Sequence, residues 1–332
     1  MSGIEIIGTG KYVPEFVATN DTFAEFLDTS DEWIYPRTGI KERHISTDKP
    51  NYFMGTQAAK DAIADAGISP EDIDLIIVST CTPDFFYPSM SCLIQKGIGA
   101  TKAACFDVNS ACTGFITILD IAQKYLATDH YKTILIVASE RLSTQIDYTD
   151  RSNCILFGDA AGAAVIRKGE GRFASMLGAE GDEFEALYCK IQYSTKSPFH
   201  GDQLAFYGDI FDTEAKQKYL QMDGHAVYKF ACNAMTNAVN NASEQIGIPV
   251  SDLDIIIPHQ ANLRIIKKSA EMLGASMDKV YTNIERMGNV SSACIPICLD
   301  EARKSGRITK GSKVCLVGFG AGLTYGSIIM EI

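Results

Sequence analysis

One stretch of this chain occurs twice, and the repeat restricts the fold more than any other feature. Glu71-Asp-Ile-Asp-Leu-Ile-Ile-Val-Ser-Thr80 reads like Ser251-Asp-Leu-Asp-Ile-Ile-Ile-Pro-His-Gln260, and each follows a helical segment that closes in Ala-Gly-Ile or Ile-Gly-Ile. Further on, Tyr131-Lys-Thr-Ile-Leu-Ile-Val-Ala-Ser139 matches Gly311-Ser-Lys-Val-Cys-Leu-Val-Gly-Phe319, a polar lead-in followed by an apolar run. Two matches in the same order, each about 180 residues apart, predict a duplicated unit. The apolar runs are short and continuous, the pattern of strands buried on both faces. Between them lie stretches such as 55–67, closed by Gly67 and followed by Pro70, which read as helices. The expected class is α/β.

The division between the halves is expected near residues 167–180, where Arg167-Lys-Gly-Glu-Gly-Arg172 interrupts the apolar runs, giving an N-terminal half 1–170 and a C-terminal half 171–332. Residues 181–222 are rich in aromatic and polar residues without sustained periodicity. They read either as an excursion capping a site or as a plain surface loop.

Composition narrows the function. A net charge of −11 argues against general nucleic-acid binding, so an anionic partner must meet a local basic patch. No apolar run reaches the roughly 20 residues that span a bilayer, and the N-terminus lacks a basic segment leading into a long apolar one. A cytoplasmic protein without membrane association is expected. The ten cysteines are scattered through apolar segments. Cys294 and Cys298 lie close together but beside Pro296 and with no histidine near, so neither a metal site nor a disulfide is expected.

Among those cysteines Cys112 stands apart. Phe106-Asp-Val-Asn-Ser-Ala-Cys-Thr-Gly-Phe115 carries it from a strand-like run onto the start of a helix. Unpaired N–H groups and the positive end of the helix dipole favour thiolate there, the form that attacks carbon. Pro258-His-Gln-Ala-Asn-Leu-Arg264 places His259 at the C-terminal end of a buried strand, where sites form in α/β sheets, and opens a helix from about Ala261. Gly288-Asn-Val-Ser-Ser-Ala293 puts Asn289 in a glycine-led turn before another helix. Each residue alone has an ordinary structural reading.

Taken together, Ala-Cys112-Thr-Gly-Phe, Pro-His259-Gln-Ala-Asn-Leu-Arg and Gly-Asn289-Val-Ser-Ser-Ala resemble the β-ketoacyl-acyl carrier protein synthase III pattern, in the same order. Asp28-Thr-Ser-Asp-Glu-Trp-Ile-Tyr-Pro-Arg-Thr-Gly-Ile-Lys-Glu-Arg43, Phe157-Gly-Asp-Ala-Ala-Gly-Ala163 and Gly318-Phe-Gly-Ala-Gly-Leu-Thr-Tyr-Gly326 are also similar to that family, so the match runs nearly end to end. The resemblance implies a thiolase fold, two α/β halves forming a five-layered αβαβα unit, usually a homodimer. It implies an enzyme in which Cys112 takes an acyl group from a small acyl-CoA, acetyl-CoA or a similar starter. Malonyl-acyl carrier protein then loses CO₂ and condenses to give β-ketoacyl-acyl carrier protein, initiating fatty acid synthesis. His259 and Asn289 would stabilise the enolate, and the backbone N–H groups of Cys112 and Ala321 the acylation oxyanion. The family often has glycine where Ala321 stands, so that donor requires Ala321 to avoid positive φ.

For CoA the resemblance assigns Trp33 and Arg151 to the adenine, Arg37 to phosphate and Asn262 to the pantetheine arm. It places Tyr87 and Phe319 at the acyl pocket, with Tyr87 closing it across the dimer where phenylalanine is common. Acyl-CoA is a substrate in this scheme and no cofactor is implied. Arg264, Lys267 and Lys268 share one helix face and would dock the acidic carrier protein.

A specialised ketosynthase of the same fold, priming a secondary metabolite or polyketide with a longer, branched or aromatic starter, would use the same three residues. A cysteine hydrolase would need the imidazole as base to the thiol and water access for deacylation. A non-catalytic acyl-CoA or carrier-protein binding module would have no call for all three polar groups.

Overall fold

The computed structural model describes residues 3–190 and 219–332. The excursion expected to cap the site falls largely on 191–218, outside the described residues. Two mixed sheets carry the fold. In the first, β1 (Gly3–Tyr12), β2 (Leu75–Ser79), β3 (Ala104–Val108), β4 (Thr133–Arg141) and β5 (Asp159–Gly169) lie in the order β1-β5-β4-β2-β3. In the second, β6 (Phe173–Ala179), β7 (Ile255–Pro258), β8 (Lys313–Gly320) and β9 (Thr324–Glu331) lie in the order β7-β8-β9-β6. The chain leaves the first sheet at Gly169 and enters the second at Phe173.

The repeat read in the sequence is a repeat in space, down to register. Leu75 pairs Ile134 in parallel, and Ile255 pairs Val314 in parallel, partners again about 180 residues apart. β4 then runs antiparallel to β5 as β8 does to β9. The first sheet has β3 beyond β2, whereas the second has only a bridge from Ile256 to Val280 at that edge.

The continuous apolar strands are buried on both faces because helices cover both faces. Here the helices are α1 (Asp31–Thr38), α2 (Asn51–Ala66), α3 (Met90–Ile98), α4 (Gly114–Ala127), α5 (Gly224–Ile246), α6 (Leu263–Met272) and α7 (Cys294–Lys304). Strand side chains alternate between faces, so one strand serves two cores. Leu75 and Ile77 pack inward with α4 and α7, together with Ile255, Ile257, Val314 and Leu316 of the second sheet. Ile76 and Val78 pack outward with α2 and α3. Ile256, Cys315 and Val317 pack outward with α5 and α6. The layers run helix, sheet, helix, sheet, helix, the five-layered thiolase arrangement.

Two carboxylates pin the segment that borders the central cavity. Asp84 accepts from the backbone N–H of Asn51 and Tyr52, at 2.9 and 2.7 Å, starting α2. Asp107 on β3 accepts from Met90 and Ser91 N–H, at 2.6 and 2.8 Å, starting α3. An anion at a helix N-terminus satisfies donors that the helix itself leaves open. Residues 83–89, with Tyr87, are thereby held at both ends. No helix among the described residues is long and apolar enough to cross a membrane.

Candidate active site

The duplication brings two equivalent helix starts face to face in the middle layer. Ala111–Thr113 forms a 3₁₀ turn leading into α4, and Ser291–Ala293 forms one leading into α7. Ala111 has φ 44° and Ser291 has φ 48°, the left-handed conformation at the same position of each turn. The Ser291 hydroxyl meets the Cys112 thiol across this junction, Oγ donating to Sγ at 3.3 Å.

Cys112 lies in the turn before α4 rather than in the helix itself, lining the cavity. Burial pushes its thiol up to about 12, against the opposing Ser291 hydroxyl and its own backbone N–H. The helix start was expected to favour thiolate. Loss of water outweighs it, and Cys112 rests as a thiol.

His259 sits at the end of β7, its N–H bonded to Val317 O at 2.8 Å. Its ring is buried, its Nδ1 has no hydrogen-bond partner among the described residues, and its edge meets Phe319 with centroids 5.5 Å apart. Burial pulls the imidazole down to about 3, so the ring is neutral at physiological pH. Asn289 follows Gly288, whose φ is 64°, and its backbone is held by Leu156 O and Gly158 N at 2.8 and 2.9 Å. Its Oδ1 accepts from Ser291 N–H at 2.9 Å. With the oxygen so engaged the amide nitrogen is the free end, and it makes no hydrogen bond among the described residues.

Cys112, His259 and Asn289 line one cavity of about 1110 Å³, and Tyr87, Asn262, Phe319 and Ala321 line it too. Gly320, beside Ala321, passes so close that a Cβ there would stand 2.7 Å from Cys112 N. Ala321 avoids positive φ, as its part as a backbone donor requires. Tyr87 is 87% exposed, whereas Phe319 is buried against the imidazole. Within a single chain Tyr87 therefore borders the cavity without closing it.

Of the expected CoA residues Asn262 lines the cavity, whereas Trp33, Arg37 and Arg151 do not and cluster outside it. Arg37 and Arg151 both lie over the Trp33 ring, at 4.7 and 5.0 Å from its centroid. Arg151 also donates to the Asp28 carbonyl and carboxylate. A guanidinium in contact with the indole leaves no gap for a purine, so the expected sandwich is closed. Arg37 packs on the indole rather than standing ready for phosphate. Asn262 caps α6, accepting from Arg264 N–H at 2.8 Å and donating to Arg37 O at 3.0 Å. Arg264 and Lys267 are exposed, while Lys268 is paired with Glu271 at 3.1 Å, which subtracts from the basic patch.

Sequence reading missed Cys81, Glu140 and Ser291. Cys81 and Ser291 line the cavity, and Glu140 lies behind them. The repeat held the signal for Ser291, because it aligns Ser291–Cys294 with Ala111–Gly114. A lone carboxylate inside the apolar run of β4 was the signal for Glu140.

Two family models match the chain: 3-oxoacyl-[acyl-carrier-protein] synthase III over residues 106–181 and its C-terminal domain over 243–332. The β-ketoacyl-[acyl-carrier-protein] synthase III of Clostridium acetobutylicum is 45% identical over 100% of this chain and 99% of its own. The crystal structure of 3-oxoacyl-[acyl-carrier-protein] synthase III from Aquifex aeolicus superposes with a TM-score of 0.90 at 38% identity, covering 99% of this chain and all of that one. The priming β-ketosynthase of the R1128 polyketide pathway superposes at 0.89 with 34% identity, covering 99% of this chain and 96% of that one.

Replacing Gly320 with alanine forces the new methyl against Cys112. Gly320→Ala is expected to lose about 1–3 kcal/mol of stability, the usual cost of overpacking, read as a lower denaturant midpoint. An unchanged midpoint would show that the turn opens freely.

Proposed function

The chain belongs to the 3-oxoacyl-[acyl-carrier-protein] synthase III family and is an acyltransferase that condenses an acyl-CoA with malonyl-acyl carrier protein to initiate fatty acid synthesis; we propose the residue roles that follow. The convergence of Cys112, His259 and Asn289 on one cavity carries them. A priming role in polyketide synthesis has weaker support, since that ketosynthase shares 34% identity against 45% for the C. acetobutylicum enzyme.

Cys112 attacks the acyl-CoA carbonyl, forming an acyl thioester and releasing CoA as its thiol. The oxyanion of this step faces the backbone N–H groups of Cys112 and Ala321. Malonyl-acyl carrier protein then loses CO₂, and negative charge appears on its thioester oxygen. Two neutral donors suit that charge: His259 Nε2–H and the Asn289 amide, whose oxygen is already committed to Ser291. The enolate carbon attacks the acyl group, and Cys112 is freed as the β-ketoacyl product forms. Thioester chemistry supplies the activation, and as proposed the reaction uses no cofactor.

Acyl-CoA opens the Trp33 cluster on binding. Adenine takes the place of Arg151 on the indole, and Arg151 gives up Asp28 to cover the base. Arg37 turns toward phosphate, and the pantetheine arm passes Asn262 into the cavity. Arg264 and Lys267, with Lys268 partly offset by Glu271, meet the carrier protein.

The enzyme acts as a homodimer in the cytoplasm, a compartment its ten free cysteines suit. β3 is an unpaired sheet edge with half-buried Phe106, flanked by exposed Phe85, Phe86 and Tyr87. An apolar open edge is the surface a second copy would cover, bringing Tyr87 over the neighbouring cavity.

His259→Ala and Asn289→Ala should each take an acyl group onto Cys112 yet lose about 10²–10³-fold in condensation, one oxyanion donor apiece. Intact-protein mass spectrometry with a malonyl-carrier chase reads both steps, and normal condensation in either variant would remove the enolate site. Because burial holds His259 neutral down to about 3, condensation from preformed acyl-enzyme should show no histidine inflection between about pH 5 and 8. A loss on acidification through about pH 6.5 would mean an accessible, titrating ring. Sedimentation equilibrium should return twice the 36.2 kDa chain mass, and a monomer would leave Tyr87 without its pocket.

A further inference from the structure

The acylation step leaves a proton without an evident destination. Cys112 rests as a thiol, and its proton must move as sulfur attacks carbon. His259 is a poor receiver, since its buried ring would become a cation with no partner on Nδ1 among the described residues.

On the other side of Cys112 a chain of exchangeable hydrogens leads away from the cavity. Ser291 Oγ lies 3.3 Å from Cys112 Sγ. Cys81 Sγ lies 3.8 Å from Ser291 Oγ, and also 3.4 Å from Glu140 Oε2. Glu140 is fully buried and fixed in place. Its Oε2 accepts from Thr82 Oγ1 at 2.6 Å, Cys81 N–H at 3.1 Å and Thr80 Oγ1 at 3.3 Å, and its Oε1 accepts from Ser292 Oγ at 2.6 Å. Among the described residues no Lys, Arg or His side chain is bonded to it. The titratable groups whose charge it feels are the thiols Cys81, Cys112 and Cys294. Burial raises the Glu140 carboxyl, against the Ser292 and Thr82 hydrogen bonds, so it is a stronger base than an ordinary carboxylate.

We propose that Ser291, Cys81 and Glu140 form a proton path out of Cys112, used in the acylation step. The inference rests on Cys112 being the acylated nucleophile. As the Cys112 sulfur bonds to the acyl carbon, its proton passes to Ser291 Oγ, the Ser291 proton to Cys81 Sγ and the Cys81 proton to Glu140 Oε2. Collapse of the tetrahedral intermediate breaks the bond to the CoA sulfur. The proton then returns along the path, and Ser291 delivers it to the departing thiolate. Serine and Cys81 end as they began, Glu140 is again a carboxylate, and no further reactant is consumed. Ser291, touching the reacting sulfur, is a catalytic residue; Cys81 and Glu140 act through it.

The test is the pH profile of Cys112 acetylation by acetyl-CoA and of its alkylation by iodoacetamide, between about pH 6 and 10, in wild type, Cys81→Ala, Cys81→Ser and Glu140→Gln. Alkylation reads the outward path even if acetyl-CoA is not a donor, which separates failure of this inference from failure of the functional reading. With the path intact the rates should vary weakly with pH. Cys81→Ala and Glu140→Gln should lose about tenfold or more near pH 7 and recover about tenfold per pH unit as hydroxide takes over. Cys81→Ser, with a hydroxyl in the path, should regain part of the neutral-pH rate. Wild-type profiles in both Cys81→Ala and Glu140→Gln would overturn the proposal, as would a loss of equal size at every pH, the mark of a structural role. Melting curves identify any variant that misfolds, and Cys81→Ala, which removes a single small group, remains decisive if Glu140→Gln does not fold.

Discussion

Much of the centre of this molecule hangs on one buried carboxyl group. The Glu140 carboxyl sits at the penultimate residue of a core strand and is gripped from both halves at once, by Thr80, Cys81 and Thr82 on one side and Ser292 on the other. A lone carboxylate there would cost several kcal/mol, and the surrounding donors offset that cost only while every one of them is in place. The carboxylate therefore dictates where the residue 80–82 loop and the start of α7 must lie. Those two segments in turn set the wall of the cavity and the position of Ser291 beside Cys112. The placing of Ser291 beside Cys112 follows from satisfying a buried carboxyl group.

The same burial sets the ionisation of Cys112 and His259. It lifts the Cys112 thiol and depresses the His259 imidazole, so the pair rests uncharged. A thiolate–imidazolium pair, the resting arrangement a hydrolase of this residue set would want, has no support in this cavity. In the proposed reaction a neutral imidazole is the donor to the enolate, and the thiol rests unreactive until it is acylated. Burial serves storage as well as chemistry.

What the sequence disclosed follows from how its signals arise. Leu75–Ser79 and Ile255–Pro258 lie inside the two repeated stretches because fully buried strands leave continuous apolar runs with sharp polar ends. The helix after His259 was expected from about Ala261 and starts at Leu263, since Asn262 is its cap. Cys112, His259 and Asn289 were legible through motifs, which record identity but not environment. Their ionisation was not legible, because a helix N-terminus can be seen in sequence while the water it excludes cannot. Cys81 and Ser291 look like ordinary small residues until the fold places them in contact. The arginines of the Trp33 cluster were found by type, yet Arg151 is held over the ring by Asp28, a partner more than a hundred positions away in the chain.

The repeat has an arithmetic consequence at the strand ends. Gly320 closes β8 beside Cys112, and Glu140 holds the same station at the end of β4 beside Ser292, the counterpart of Cys112 in the second turn. Where one copy ends in a residue with no side chain, the strand end passes directly against the backbone of Cys112. Where the other ends in glutamate, a carboxyl group stands at that station and accepts from Ser292. Two equivalent helix starts thus have unlike surroundings, and of their matching positions only the one beside glycine carries a thiol, the other a hydroxyl.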